Sequence, residues 1–145
     1  MKISSKVDAK IGVMDIETFR ELFDVGIYDP DTKQWHEHQI SKYKNDLYSF
    51  IKYYTPKCYD YLVTFNGISF DHQVIEWILE NYENWYNLSN LEICHRISEF
   101  SQELIDNSNY GLFLPYKEDK FVIPSIDLFR IHHFDNENRR TSLKW

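Results

Sequence analysis

The sequence predicts an α/β protein in which a mixed sheet is flanked by helices. Three β-rich runs follow one another closely in the first 40 residues, and later β-rich runs are separated by segments with apolar residues at helical spacing. This order favours an antiparallel meander followed by parallel strands with helices packed on the sheet. The chain has 145 residues, enough for one domain that buries a core without disulfides or structural metals. We therefore interpret residues 1–145 as a single domain.

The first three strands are predicted at residues 10–15, 21–28 and 33–40. Residues 10–15 carry Ile11 and Val13 and end on polar residues, while residues 21–28 are β-rich throughout. The sequence Asp-Pro-Asp at positions 29–31 is a strong turn signal. Together these runs predict a three-stranded antiparallel meander.

The next element is predicted to be a helix that begins after Ser41 as its N-cap and ends before Pro56. Its apolar residues recur at helical spacing; they are Tyr43, Leu47, Phe50, Ile51 and Tyr54.

Further elements are predicted at residues 59–65 (strand), 71–82 (helix), 88–105 (helix), 107–120 (loop or lid) and 121–128 (strand). Pro124 in the last strand predicts an edge position or a bulge, because proline cannot donate to a ladder. The segment 141–145 looks like the start of another helix.

The composition is that of an ordered protein with an acidic balance. Apolar residues make up 43% and charged residues 27%, which excludes a disordered chain, and the formal net charge is −7. An acidic chain argues against a protein that grips nucleic acid by general electrostatics. It does not argue against a metal-dependent nuclease, because carboxylates that hold cations contribute to this charge.

We expect no membrane partner and a cytoplasmic location. No run approaches the ~18 apolar residues of a membrane span, and the first residues lack the apolar stretch of a secretory signal. Cys58 and Cys94 have no framework spacing and are interpreted as reduced thiols.

Asp15 and Glu17 form the first candidate site, at the end of the first predicted strand. Side chains alternate along a strand, so these two carboxylates share one face and lie close together. Such a pair is unfavourable without compensation, and a divalent cation with a preference for hard oxygen ligands, Mg²⁺ or Mn²⁺, would supply it. The plain alternative is a solvated polar strand end.

The second candidate is the segment Asn-Gly-Ile-Ser-Phe-Asp at positions 66–71, which follows a buried strand and opens a helix. Gly67 permits a tight reversal, and the strand end together with the helix start would aim Asp71 at the first pair. Asp71 is alternatively an ordinary acidic residue in a first helical turn, stabilised by the helix dipole.

Asp127 on the last predicted strand is the third acidic position singled out. It could cap the following turn, hold a neighbouring helix or touch a metal site. We favour a role in holding structure beside the site over direct contact with a metal.

These segments together resemble the DEDD superfamily of 3′–5′ exonucleases, which have the ribonuclease H-like fold. The likeness is greatest to the proofreading exonuclease domains of family B DNA polymerases and their viral relatives. The first motif of that family, D-I-E-T, matches residues 15–18, and the second, N-x-x-x-F-D, matches residues 66–71. A D-L…S-L-K segment matches residues 127–128 and 142–144. The resemblance spans essentially the whole chain.

The resemblance implies a ribonuclease H-like mixed sheet and two-metal hydrolysis of phosphodiester bonds at a DNA 3′ end. Carried over by motif, Asp15, Glu17 and Asp71 would be the catalytic metal ligands for Mg²⁺ or Mn²⁺. By the same carry-over, Thr18 and Phe19 would lie beside the terminal nucleotide, and Asn66 and Phe70 would position the strand or its base. The implied partner is the 3′ end of single-stranded DNA, with RNA as an alternative, in DNA replication. The chain's composition and the likeness suggest a viral source and hence the host cytoplasm.

The sequence departs from the family at its third motif. The family requires a fourth acid in Y-x-x-x-D or H-x-x-x-x-D, and no Tyr or His of this chain has an Asp at that spacing. We interpret the chain as truncated before that motif and lacking the final helix, with a polymerase region or missing segment of the same protein as a further partner. We accordingly expect weak or no exonuclease activity from the isolated chain.

Two rivals remain open at this stage. The first is an RNA-directed or structure-specific nuclease of the same fold. The second is a non-catalytic interaction domain that binds nucleic acid or protein and has lost the site, which the missing motif favours.

Overall fold

The computed structural model describes residues 8–111 and 113–132. These residues form a six-stranded sheet with the strand order β4-β3-β2-β1-β5-β6. The strands are β1 (Ile11–Phe19), β2 (Leu22–Asp29), β3 (Gln34–Ser41), β4 (Lys44–Asn45), β5 (Tyr61–Thr64) and β6 (Ser125–Asp127). The helices are α1 (Leu47–Tyr53), α2 (Asp71–Asn81), α3 (Asn90–Asn109) and α4 (Leu128–His132), with 3₁₀ turns at Tyr82–Asn84 and Glu118–Lys120.

The sheet is mixed, as the sequence predicts. Strands β1, β2, β3 and β4 are antiparallel neighbours, whereas β5 runs parallel to β1 and β6 runs parallel to β5. The predicted meander, the parallel strands and the flanking helices are therefore confirmed. The predicted Ser142-Leu143-Lys144 segment and the helix start at 141–145 lie outside the described residues.

The helix predicted from Ser41 is wrong in its first half. The chain continues instead into the β3–β4 hairpin, and α1 begins only at Leu47. Asp46 decides this, because its carboxylate accepts a hydrogen bond from the Gln39 N–H at 3.0 Å and its own N–H donates to the Gln39 carbonyl at 2.9 Å. These hydrogen bonds fold residues 42–46 back onto β3, and they leave Tyr43 89% exposed.

The carboxyl half also differs in its boundaries. The last strand is only three residues long, at the sheet edge as Pro124 predicts, and the chain turns into α4 directly after Asp127. Helix α3 runs on to Asn109, into the segment predicted as a loop. Its start is specified by a capping box, in which Ser89 accepts from the Glu92 N–H and Glu92 accepts from the Ser89 N–H.

The core lies on one face of the meander. Apolar side chains that alternate along β1 and β2 pack there with residues of α1, α2 and α3; those from the strands are Met14, Ile16, Phe23, Val25 and Ile27. The intervening residues, Asp15 and Glu17 among them, point to the opposite face. Because Phe19 is 56% and Trp35 64% exposed, this second face is open over much of the meander.

In the part of the chain that the structure describes, none of the helices combines the length and the apolar character needed to cross a bilayer.

Candidate functional site

Asp15 and Glu17 lie within β1 and not at its end, because the strand continues to Phe19. This corrects the predicted end at residue 15. Strand β5 pairs only with residues 11–13 of β1, whereas β2 pairs with residues 13–19. From Met14 onward, β5 therefore no longer pairs with β1, and we call this side of β1 its open edge. The two carboxylates share one face beside this edge, with Asp15 exposed and Glu17 partly exposed.

Asp71 occupies the open edge of β1. The Ile16 N–H donates to Asp71 Oδ1 at 3.2 Å, so the first residue of α2 supplies an acceptor that a paired strand would otherwise supply. The Asp71 side chain is only 6% exposed. This contact brings the third predicted ligand next to the strand that carries the first two, as the sequence hypothesis requires.

The environment of Asp71 raises its pKa from 3.8 to about 7. Burial is the largest cause, and the nearby negative charge of Asp15 adds to it, while the hydrogen bond from the Ile16 N–H works in the opposite direction. A smaller increase in the pKa comes from the charge of Asp127. Asp15 and Asp71 are thus close enough to interact electrostatically, and a cation between them would relieve the cost of ionising Asp71.

Asp127 holds the turn that leads to Asp71. Its Oδ1 accepts from the Asn66 N–H at 2.7 Å and from the Phe129 N–H at 3.0 Å, and its Oδ2 accepts from the Ile68 N–H at 3.3 Å. Asn66 adopts a left-handed backbone conformation with φ of 59°, which asparagine tolerates better than most residues. The structural role favoured for Asp127 is confirmed.

Gly67 is required for a reason that differs from the predicted one. The left-handed residue of the reversal is Asn66, whereas a Cβ on Gly67 would overlap the side chain of Thr64. The Thr64 hydroxyl itself is hydrogen-bonded to that of Ser125 at 3.1 Å, which ties the end of β5 to β6. Glycine therefore lets the turn lie flat on the end of the strand.

The predicted substrate-binding residues fall in separate places. Phe19 lies on the carboxylate face of β1 and is exposed, whereas the alternation of the strand directs Thr18 to the opposite side. Asn66 and Phe70 line a cleft against the carboxyl end of α3. The structure does not gather these four side chains around one point.

The predicted metal ligands are also not arranged as a ready-made centre. Across residues 8–111 and 113–132, no three His, Cys, Asp or Glu side chains are grouped so that they could hold an ion as they stand. The structure does bring Asp15 close enough to Asp71 for their charges to interact, and Glu17 lies two residues further along the same face of β1.

Two further acids of this face were missed by the sequence reasoning. Asp24 lies directly opposite Glu17 on β2, and Glu37 on β3 lies opposite Gly26, which in turn is opposite Asp15. These residues and Trp35 border a shallow cavity of about 260 Å³ over the carboxylate face. The alternation of side chains along a strand assigns Asp24 to one face of β2 and Glu37 to one face of β3. That these two side chains lie on the same face of the sheet follows only from the register of the strands.

The Asp24 carboxyl is perturbed by Glu37. Its pKa rises from 3.8 to about 6 because of burial, a hydrogen bond with the Glu37 side chain and the Glu37 charge, in that order. The Asp24 carboxyl therefore keeps its proton in mildly acidic solution.

Glu37→Gln is expected to lower the pKa of Asp24 from about 6 toward its ordinary value, because the substitution removes the neighbouring negative charge. The titration of the Asp24 carboxyl carbon by NMR measures this directly. Glu21→Gln, on the exposed β1–β2 turn, is the matched control and leaves the titration in place. An Asp24 midpoint unchanged in Glu37→Gln would show that the two side chains do not meet.

No protein-family model, curated protein or solved structure matches this chain.

Proposed function

We propose that the chain is a metal-dependent 3′–5′ exonuclease domain with a ribonuclease H-like fold, acting on single-stranded DNA through Asp15, Glu17 and Asp71. The single observation that carries the proposal is the hydrogen bond from the Ile16 N–H to Asp71. It joins two acidic motifs that are 55 residues apart in the sequence. A carboxylate buried against a second carboxylate costs stability, so its presence here favours a role beyond folding.

The sheet supports the fold proposal. A three-stranded antiparallel meander leads through helices to two strands parallel to β1, and the central strand β1 carries the first motif. The second motif lies at the amino end of α2, next to that central strand. This is the arrangement expected from the family that the sequence resembles.

The donor set has the chemistry of a Mg²⁺ or Mn²⁺ site. Asp15, Glu17 and Asp71 supply only hard oxygen ligands, and the raised pKa of Asp71 marks a place where added positive charge is favourable. Bound divalent cations would activate water and neutralise charge on the scissile phosphate. The residues of the chain would hold the cations on the open side of β1, while Asp127 and Gly67 keep Asp71 in place.

A non-catalytic interaction domain is the second candidate. It is favoured by the absence, in the described ranges, of a ready-made group of three metal ligands. An RNA-directed nuclease of the same fold remains a variant of the first proposal, and comparison of DNA with RNA substrates distinguishes the two.

Asp15→Ala is expected to weaken Mn²⁺ binding about tenfold or more, because it removes one charged ligand of a small set. Isothermal titration with Mn²⁺ alone, at pH 8 where Asp71 is ionised, measures this without any need for catalysis. Asp31→Ala in the exposed β2–β3 turn is the control with the same loss of charge. Equal Mn²⁺ affinity in Asp15→Ala and the unaltered chain would overturn the metal site and favour the interaction domain.

Incubation of 5′-labelled oligo-dT and oligo-U with the chain and Mn²⁺ tests the reaction itself. Because no Tyr or His of the chain has an Asp at the spacing of the family's third motif, any digestion is expected to be slow. Slow loss of nucleotides from the 3′ end of the DNA that depends on Asp15 supports the proposal, and faster shortening of the RNA assigns the RNA-directed variant.

A further inference from the structure

Strand β3 is longer than the strand that pairs with its outer side. Strand β4 is only two residues long and pairs with Ile40 and Ser41. The preceding residue, Gln39, has its backbone groups satisfied by Asp46, which donates to the Gln39 carbonyl and accepts from the Gln39 N–H. Within the described ranges, no strand lies beside residues 34–38 on this side. We call this side of residues 34–38 the free edge of β3.

Trp35 and Glu37 direct their backbone groups to the free edge. In an antiparallel strand, the N–H and C=O of one residue point to the same side, and the side alternates from one residue to the next. Because Gln39 directs its backbone groups toward Asp46, Glu37 and Trp35 direct theirs the same way. No described residue forms a hydrogen bond with these four groups. They are therefore able to pair with an added strand.

The strand that carries the free edge is held in position before any partner binds. On one face, the ring of Tyr53 from α1 lies against His36 and His38, with ring centroids 4.9 and 5.5 Å apart. On the other face, the ring of Trp35 contacts that of Tyr28 on β2, at 5.6 Å. A template that is already ordered loses little conformational entropy when a second strand pairs with it.

The side chains beside the free edge are acidic and aromatic. Trp35, which is 64% exposed, and Glu37 project from the face of the sheet that also carries Asp15. Glu37 lies close enough to Asp24 to raise the pKa of that carboxyl, and the chain as a whole has a net charge of −7. Cross-strand neighbours of opposite charge attract each other. The charge beside the free edge therefore favours a strand that carries lysine or arginine.

A second copy of this chain is a poorer occupant of the free edge. If two β3 strands paired in antiparallel fashion through Trp35 and Glu37, the acidic faces of the two sheets would continue into each other on one side. Asp15, Asp24 and Glu37 of both copies would then be brought together. Like charges in neighbouring strands are destabilising, so charge complementarity favours a basic partner over self-association.

We propose that the free edge of β3 binds an extended basic segment of a partner protein, which adds a further strand to the sheet. A lysine or arginine of that segment lies opposite Glu37, and the residue two positions away packs on the exposed ring of Trp35. The inference goes beyond the proposed function and does not depend on it, because it uses backbone groups and the Glu37 charge but neither a metal nor a nucleic acid.

The test uses the peptide Thr-Lys-Val-Lys-Val-Lys-Thr and its counterpart with glutamate in place of lysine. NMR titration of the amide signals in EDTA at pH 7.5, where Asp24 is ionised, gives the two Kd values. The lysine peptide is expected to bind about fivefold or more tightly, because its charges attract Glu37 where those of the glutamate peptide repel it. It is also expected to slow the amide exchange of Trp35 and Glu37 but not that of Glu21, in the β1–β2 turn.

Glu37→Lys is expected to reverse the preference between the two peptides, whereas Glu21→Lys, at another exposed position, is the matched control and keeps it. A lysine peptide that is N-methylated at its three central residues keeps its charge but cannot donate these hydrogen bonds, and it is expected to lose binding. Circular dichroism shows that both variants are folded.

Three results would overturn the inference of strand addition in the unaltered chain. They are no saturable binding of the lysine peptide, equal binding of its N-methylated form, and unchanged amide exchange at Trp35 and Glu37. A preference that survives in Glu37→Lys would overturn the role of the Glu37 charge. Slower exchange at these two amides with rising concentration of the chain alone would identify a second copy as the occupant and would also reject the basic partner.

Discussion

Replacing Asp71 by asparagine is expected to stabilise the metal-free chain at pH 8. The pKa of Asp71 is raised to about 7 by burial and by the Asp15 charge, whereas in the unfolded chain it stays near 3.8. The native carboxyl therefore holds its proton between these two pH values while the unfolded one does not. The contribution of protonated Asp71 to the free energy of unfolding is therefore complete below about pH 4, and it is lost as the pH rises through about 7.

The amide of the Asp71→Asn variant is neutral at every pH and can still accept the hydrogen bond from the Ile16 N–H. The upper limit of the gain in free energy of unfolding at pH 8 is about 4 kcal/mol, from a pKa difference of roughly three at 1.36 kcal/mol each. Urea unfolding in EDTA at pH 4, 6 and 8 measures it. Asp119→Asn, on the exposed 3₁₀ turn, is the control for loss of one negative charge.

Added Mn²⁺ is expected to narrow this difference in the free energy of unfolding at pH 8. A ligand that binds only the native state stabilises it, by about 2.7 kcal/mol at a hundred times its Kd, and only the chain with Asp71 has the full set of carboxylates. If Asp71→Asn and the unaltered chain share the same pH profile and the same response to Mn²⁺, Asp71 neither titrates as described nor binds the ion.

Asp127→Ala is the second substitution with a large expected effect. Three backbone N–H groups, of Asn66, Ile68 and Phe129, lose their acceptor at once. Hydrogen bonds to a charged group contribute about 1.5–3 kcal/mol each, and solvent can reach part of the vacated site. We expect the free energy of unfolding to fall by about 3 kcal/mol or more.

Asp127→Asn is a graded control for this prediction. The amide keeps one oxygen, which serves Asn66 and Phe129, but it turns an NH₂ group toward the Ile68 N–H. Its loss of stability is expected to be smaller than that of the alanine variant. Asp60→Ala removes the acceptor of one exposed N–H, that of Lys10, and is expected to cost under about 1 kcal/mol. Urea midpoints rank the three variants, and a ranking with Asp60→Ala lowest in stability would contradict the role of Asp127.

Much of the sheet could be predicted from local patterns. Alternating apolar residues, the turn at residues 29–31 and the proline before β6 are short-range signals, and they produced the meander, the parallel strands and the edge strand. The same local reasoning was wrong between residues 41 and 46. There the helical spacing of apolar residues was overridden by hydrogen bonds between Asp46 and Gln39, which belong to a hairpin partner and not to the helix.

The acids of the candidate site were selected from local motifs, whereas their surroundings depend on contacts between distant segments. Asp15, Glu17 and Asp71 could be selected because their motifs are contiguous, whereas the pairing of Asp24 with Glu37 depends on the register of two strands. The acceptor role of Asp127 depends on contacts about 60 residues away in the sequence. Such contacts leave no periodic trace in the chain.

By itself, the sequence determined the class of the fold and the acids that are candidates for chemistry, because periodicity and short motifs are properties of neighbouring residues. Only the tertiary structure decided that β5 stops pairing with β1 at Val13 and that α2 brings Asp71 to the edge left open. That decision is made by packing and backbone hydrogen bonds between distant segments, and it determines how deeply Asp71 is buried and how strongly Asp15 acts on it.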